Sequence, residues 1–255
     1  MPACTDDFDD TFERKHLQDW ERRVLEAHLR PLHRKNVVDD GFYSRMAVGA
    51  QYDGVFEIPI LKRPDRIIVP SGAVPFSKLA RAEPGDCCVF FEKDPMFADA
   101  LIAVDDCMDS LMKLETVSTP DCSLYVDMPL NLQIANVHMS RLFGNHCQQQ
   151  GKNVIPTVRW SDWRSYTSVL FGEPFAFAGL PKNSIYWIGT YGCCKKPDDK
   201  ERFREGLAAM LDCLEPEIVL VYGAMPESIF GEFVSRTKFI RYPDWISRKK
   251  GGARG

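Results

Sequence analysis

Several familiar signatures are missing from this sequence of 255 residues, and each absence removes a class of function. No G-x-G-x-x-G or G-x-x-x-x-G-K-[ST] follows any apolar run, so neither common phosphate-cradling loop is written into it. Cysteine is not scarce, but its nine copies are an odd number with no C-x-x-C, and Cys87–Cys88 and Cys193–Cys194 are directly adjacent. That spacing suits neither a disulfide framework nor a zinc site, and points to small buried apolar residues in a reducing compartment. The five histidines (16, 28, 33, 138 and 146) fall on helix-like segments away from strand ends, which argues against a His-centred triad or His-rich metal site.

Positive charge is not in excess either: the net charge is −4, so no overall field draws the chain to nucleic acid. A nucleic-acid partner is therefore not supported by net charge and would need a local basic patch. No apolar run approaches the ~20 residues of a membrane span. The opening MPACTDDFDD is acidic and lacks the basic-then-apolar layout of a signal peptide. The expectation is a soluble cytoplasmic protein with no membrane partner.

What is present is a rhythm. Short apolar, β-rich runs recur at RIIVP (66–70), CCVFFEKD (87–94), ETVSTPD (115–121), NVIPTVRW (153–160), SIYWIGTYG (184–192), EIVLVYG (217–223) and KFIRYP (238–243). Between most of them lie stretches with helical period, such as Phe97, Leu101, Val104, Met108 and Leu111, or Phe203, Leu207, Met210, Leu211 and Leu214. The second begins at PDDKE, with Asp198 and Glu201 at capping-box spacing, and Leu-Glu-Pro (214–216) stops it. The runs are continuously apolar rather than alternating, as strands covered on both faces are. A unit of about 30 residues is the length of a βα step. The pattern predicts a mainly parallel α/β architecture, a (β/α) barrel or an incomplete one, with an open doubly wound sheet as the competitor.

The predicted organisation is an N-terminal helical arm (1–36), one barrel-like domain (37–246) and a flexible basic tail (247–255). In the arm, Phe8, Phe12, Leu17, Trp20, Val24, Leu25 and Leu29 recur at helical spacing. The stretch 37–65, including VFEIPIL, reads as a hairpin or an extended arm.

In such an architecture the loops after the carboxyl ends of the strands carry the chemistry. Here they hold Glu92 and Asp94; Asp121, Tyr125 and Asp127; Arg159, Trp160 and Asp162; Tyr191 and Gly192; Tyr222 and Gly223; Tyr242 and Asp244. Carboxylates at a barrel mouth suit general acid–base or nucleophilic work, and rings suit stacking on a planar or sugar-like ligand. The candidate catalytic residues are Asp121, Asp127 and Asp162. The candidate substrate-binding residues are Tyr125, Arg141, Arg159, Trp160, Tyr191, Tyr222 and Gly223, with no metal ligands assigned and no cofactor indicated. Each has a plainer reading. Asp94, Asp127 and Asp162 suit helix N-caps, and Tyr191 and Tyr222 suit a plug for the barrel end. Asp121 is harder to dismiss, because a strand-like SLYV follows it rather than a helix. The helix after it is rich in amides, which a polar outer face would explain, although Asn131 and Arg141 would reach a ligand if the helix lined the site.

The pieces IPILKRP, VPF, VFFEKD, TPDCSLYVDMPLNLQIANVHMSR, GKNVIPTVRW, LPKNSIYWIGTYG and PEIVLVYG together resemble the domain-of-unknown-function family 4417, over roughly residues 55–235. PDCSLYVDMP, VIPTVRW and the final VYG are the most specific. The family commonly reads PDFSLY, so Cys122 stands where an aromatic is usual. The resemblance implies a bacterial, phage or mobile-element context and no particular activity. Three functions stay open on this reading. The first is an enzyme acting on a nucleotide, nucleobase or sugar-containing substrate. The others are a binding protein that captures a small ligand or a host protein, and a DNA-acting replication or modification factor.

Overall fold

A computed structural model describes residues 44–190, 194 and 196–252. Tyr191, Gly192 and the predicted helix over 8–30 lie outside the described residues. The chain divides into two compact units, residues 1–49 and 50–255. Of the first, the described part contains one short helix, α1 (Ser44–Ala47).

The second unit opens with a small antiparallel hairpin, β1 (Tyr52–Asp53) and β2 (Ile58–Pro59), as one reading of that stretch anticipated. Every later strand pairs in parallel. β3 (Gly72–Pro75), β4 (Asp86–Val89), β5 (Thr116–Ser118) and β6 (Asn153–Ile155) form one sheet in chain order. β7 (Ile185–Gly189), β8 (Ile218–Tyr222) and β9 (Lys238–Tyr242) form another, also in chain order. Pro156 has no N–H to offer a ladder, so β6 ends before it. The two sheets nevertheless meet just beyond: Thr157 bridges Trp187, and Val158 donates its N–H to the Trp187 carbonyl at 2.8 Å. No ladder joins β9 to β3 among the described residues, so no closed barrel is shown.

Helices fill the connections: α2 (Ala98–Ile102) and α3 (Val104–Leu111) after β4, and the 20-residue α4 (Leu130–Gln149) after β5. They continue with α5 (Trp163–Tyr166) after β6, α6 (Pro197–Leu214) after β7, α7 (Glu227–Phe230) after β8 and α8 (Trp245–Gly252) after β9. Period-2 alternation sends neighbouring residues of β7 and β8 to opposite faces. Ala73, Val89, Ile155, Trp187, Leu220 and Tyr242 share one cluster. Tyr186, Ile188, Val219 and Val221 face the other way, onto Leu207, Met210 and Leu214 of α6. Burial on both faces is why these runs are continuously apolar. The predicted stop of α6 is found: Glu215 takes the left-handed conformation (φ 49°) right after Leu214, ahead of Pro216.

Several expectations are corrected. RIIVP is not a strand, and the first parallel strand is GAVP, six residues later in start. Val69 of that run is 41% exposed, so its apolar character does not mark a two-sided core position. SLYV after Asp121 is irregular rather than strand-like. The amides of α4 divide: Asn131 and Gln149, with Gln150 just after them, are exposed, as a polar outer face requires, whereas Gln133 and Asn145 are buried, as is Arg141. Where a tail was expected from residue 247, α8 runs through Gly252. Its start is held by Asp244, whose carboxylate accepts the Ile246 and Ser247 N–H groups (3.1 and 3.0 Å) and the Ser247 hydroxyl (2.7 Å). Burial works against that charge, but these hydrogen bonds hold the Asp244 carboxyl below its usual range.

Candidate active site

The carboxyl ends of β4 to β7 surround a cavity of about 790 Å³. Its walls come from the segment 91–95 after β4, the loop 121–128 after β5, residues 158–161 after β6, Gly189 at the end of β7 and the first turns of α6. Rings from four different elements line it: Phe91, Tyr125, Trp160 and Phe203. A space this large, mostly apolar with a few convergent polar groups, has the make-up of a small-molecule site.

Two polar arms reach into it. In the first, the Arg159 guanidinium donates to Asp121 Oδ2 at 2.7 Å, with the Asp121 side chain only 8% exposed. Burial pushes the Asp121 carboxyl above its ordinary value; Arg159 pulls it back, and the nearby Asp94 pushes it up again. In the second, Ser123 donates its N–H (3.1 Å) and its hydroxyl (2.8 Å) to the Asp94 carboxylate. The same hydroxyl lies 3.0 Å from the Tyr125 hydroxyl. With the serine proton committed to Asp94, the Tyr125 hydroxyl is the donor of that contact, giving an ordered chain Tyr125–Ser123–Asp94.

Buried amides of α4 hold this irregular loop in shape. Gln133 donates to the Tyr125 and Met128 carbonyls, both at 2.9 Å, and accepts the Ser161 hydroxyl at 2.6 Å. Asn136 donates to the Ser123 carbonyl at 2.6 Å. The loop has no ladder, so side chains satisfy its backbone instead. Two glycines leave room for the rings. A Cβ on Gly189 would lie 2.6 Å from the Phe91 ring, and one on Gly206 would lie 2.1 Å from Trp160 Nε1.

Of the residues singled out in the sequence, Asp121, Tyr125, Arg159 and Trp160 line the cavity together. Asp127 is exposed and is not among its lining residues. Asp162 is the N-cap of α5, accepting the Arg164 N–H at 3.1 Å and pairing with the Arg164 guanidinium at 2.8 Å. Arg141 is fully enclosed and donates to the Ala176, Thr157 and Ala178 carbonyls at 3.1 to 3.3 Å, tying α4 to the segment 176–178. Burial without a carboxylate partner lowers it to about 10. Tyr222 is not among the lining residues; it stacks on Phe91 with ring centroids 4.9 Å apart and accepts the Trp245 backbone N–H. Gly223 has φ 115° and donates its N–H to Tyr242, where no side chain is easily accommodated. Tyr191 lies outside the described residues.

Ser123, Asp199 and Arg202 were not singled out. A serine inside a polar loop carries no pattern of its own, and Asp199–Arg202, paired at 2.6 Å, reads as an ordinary first-turn ion pair. Glu92 lines the cavity, yet its carboxylate is occupied by the Ser77 N–H (2.9 Å) and the Ser77 hydroxyl. Among the described residues, no group of three or more His, Cys, Asp or Glu side chains is arranged to hold a metal ion. Cys87, Cys88, Cys122 and Cys147 are buried thiols, pushed up by that burial, which is the packing role expected of them.

The model of the family described as Domain of unknown function (DUF4417) matches residues 50–243. The Gene 1 protein of Mycobacterium phage L5 is 31% identical over 172 residues, covering 67% of this chain and 72% of that protein. The Gene 1 protein of Mycobacterium phage D29 is 30% identical over 198 residues, covering 76% of this chain and 69% of that protein. No solved structure matches the chain.

Proposed function

The chain belongs to the DUF4417 family and is of phage type; for it we propose an enzyme acting on a small nucleotide, nucleobase or sugar-containing substrate in the cavity at the strand ends. The fold that would serve it is an incomplete (β/α) barrel. Seven parallel strands in chain order support that reading, as does a buried cluster shared by the first and last of them, Ala73 of β3 and Tyr242 of β9.

The observation that carries the functional reading is Asp121. It is a buried carboxyl group, raised above its ordinary value, facing a ring-walled space and oriented by Arg159. Such a group acts as a general base when ionised and a general acid when protonated, and its environment moves it toward the pH at which both forms are accessible. Arg159 would fix its orientation and balance the charge that develops. Asp94, through Ser123 and Tyr125, would supply the second proton-handling arm. Asp127 is exposed and Asp162 is engaged by Arg164, which supports Asp94 in that role over either of them.

The test is turnover on a panel of nucleosides, nucleotides and simple glycosides with wild type and Asp121→Asn. Loss of an acid–base group lowers the rate by about 100-fold or more. Equal rates for the two proteins would remove Asp121 from the chemistry. Stoichiometric binding with unchanged ligand recovered after denaturation would favour a capture protein instead.

A further inference from the structure

The composition of the cavity narrows the class of ligand. We propose that it takes an unphosphorylated nucleobase or nucleoside, whose N–H-bearing edge, ring or amino, is read by Asp121; this rests on the cavity being the substrate site.

Three features converge on that class. Asp121 Oδ2 is taken by Arg159, while Oδ1 makes no hydrogen bond to the described residues although the side chain is more than nine-tenths buried. That oxygen opens onto the cavity, where it is an acceptor available to a donor on the ligand. Next, the walls are mainly rings and hydrocarbon, with Phe91, Leu124, Val158, Trp160 and Phe203 among them. A flat heterocycle stacks on such walls, whereas a free sugar would bring hydroxyls on every side and leave most of them unpaired.

The charges decide against phosphate. Among the described lining residues, Glu92, Asp94, Asp121 and Asp199 face Lys93, Arg159 and Arg202, an excess of one negative charge. Both arginines are already paired, Arg159 with Asp121 at 2.7 Å and Arg202 with Asp199 at 2.6 Å. A phosphoryl group entering here would meet four carboxylates against one cation outside an ion pair among the described lining residues, the exposed Lys93 ammonium. Exclusion by like charge is specificity in the same sense as attraction by opposite charge.

The experiment is isothermal titration of the full chain with adenosine, guanosine, cytidine and thymidine, and with the 5′-monophosphate of each. At least one nucleoside is expected to bind, with its monophosphate at least about 10-fold weaker. Asp121→Asn should weaken that nucleoside by about 10-fold or more, the scale of one hydrogen bond to a charged group. Methylating the base N–H edge of that nucleoside should do the same on the wild-type protein, which covers the case of a variant that fails to fold. A monophosphate that binds as tightly as its nucleoside, a methylated base that binds equally, or no nucleoside binding at all would overturn the proposal. Nucleoside binding without turnover would instead sink the catalytic reading and leave this one standing. Turnover of a sugar or a phosphorylated substrate would do the reverse.

Discussion

At the amino end of β4, Asp86 meets Arg248; beyond the carboxyl end of β5, Asp121 meets Arg159. The two pairs are built from the same groups and are comparably enclosed, with side-chain exposures of 2% and 30% for Asp86 and Arg248, against 8% and 22% for Asp121 and Arg159. Their surroundings differ. Both oxygens of Asp86 are used, one by Arg248 Nη1 alone at 3.2 Å, the other by that nitrogen at 3.3 Å and by the Glu83 N–H at 3.0 Å. Gly72 packs so closely there that a Cβ would lie 2.1 Å from Asp86 Oδ1. Around Asp121 there is open volume and one oxygen without a partner among the described residues. A buried ion pair is therefore not in itself a sign of function. What distinguishes the two is unused hydrogen-bonding capacity next to empty space.

The sharpest way to break that contrast is at the amino end. Arg248 reaches from α8 to the Ala73 carbonyl of β3 (3.1 Å), to Asp86 of β4 and to Glu83 (3.1 Å). It thereby links the last helix to the edge of the first parallel sheet, where no ladder does so. Arg248→Met should destabilise the fold by about 3 kcal/mol, the scale of stranding one member of a buried pair. Adding Asp86→Asn removes the stranded charge and should recover part of that loss. Chemical denaturation of the three proteins measures both effects, while ligand binding per folded molecule should not change. A loss of affinity with full stability would show that the two ends are not separable as described.

The two ends were unequally legible in the sequence. Asp121 could be picked out because no helix begins after it, so the capping explanation had nothing to cap. Asp162 reads in the sequence either as an N-cap or as a catalytic carboxylate, and the Arg164 N–H at 3.1 Å shows that it is spent on α5. Asp127 is six residues from Asp121, yet it is exposed while Asp121 is buried, because the loop between them is irregular and has no period to count by. The strand runs from CCVFFEKD onward were legible because two-sided burial leaves a continuous apolar mark. RIIVP carries the same mark with less burial and no ladder, and GAVP is too short and too small-residued to show it. The Asp86–Arg248 pair joins residues 162 apart in sequence, and no local pattern announces such a contact.

A smaller effect is expected at the cavity wall. Gly206 sits inside α6, where replacing glycine by alanine in an open helix would stabilise by about 1 kcal/mol. Here the new methyl would lie 2.1 Å from Trp160 Nε1, held in place by Phe203 with ring centroids 5.0 Å apart. Overpacking of this kind costs about 1–3 kcal/mol, so the net sign of Gly206→Ala is destabilising by about 1 kcal/mol. Because Trp160 must move, its fluorescence should change and the cavity should lose affinity. A variant that is more stable with unchanged emission would mean that Trp160 yields freely and is not a fixed wall.

The mildest probe is pH, and it tests Asp121 without touching its neighbours. Burial raises the Asp121 carboxyl above its unfolded value, so the folded state holds that proton more tightly than the unfolded chain does. The stability contributed by this group is fully present below the unfolded carboxylate value and is lost as pH rises through the folded one. Asp121→Asn has no such proton to lose. The difference in unfolding free energy between wild type and Asp121→Asn should therefore shift against wild type as pH climbs through that window, and level off above it. Denaturant titrations at a series of pH values from the ordinary carboxylate range upward measure the slope. A difference that does not vary with pH, or one that moves in favour of wild type, would mean that Arg159 outweighs burial. Asp121 would then be held ionised by its partner, and the distinction drawn between the two ends of the strands would rest on the empty volume and the open oxygen alone.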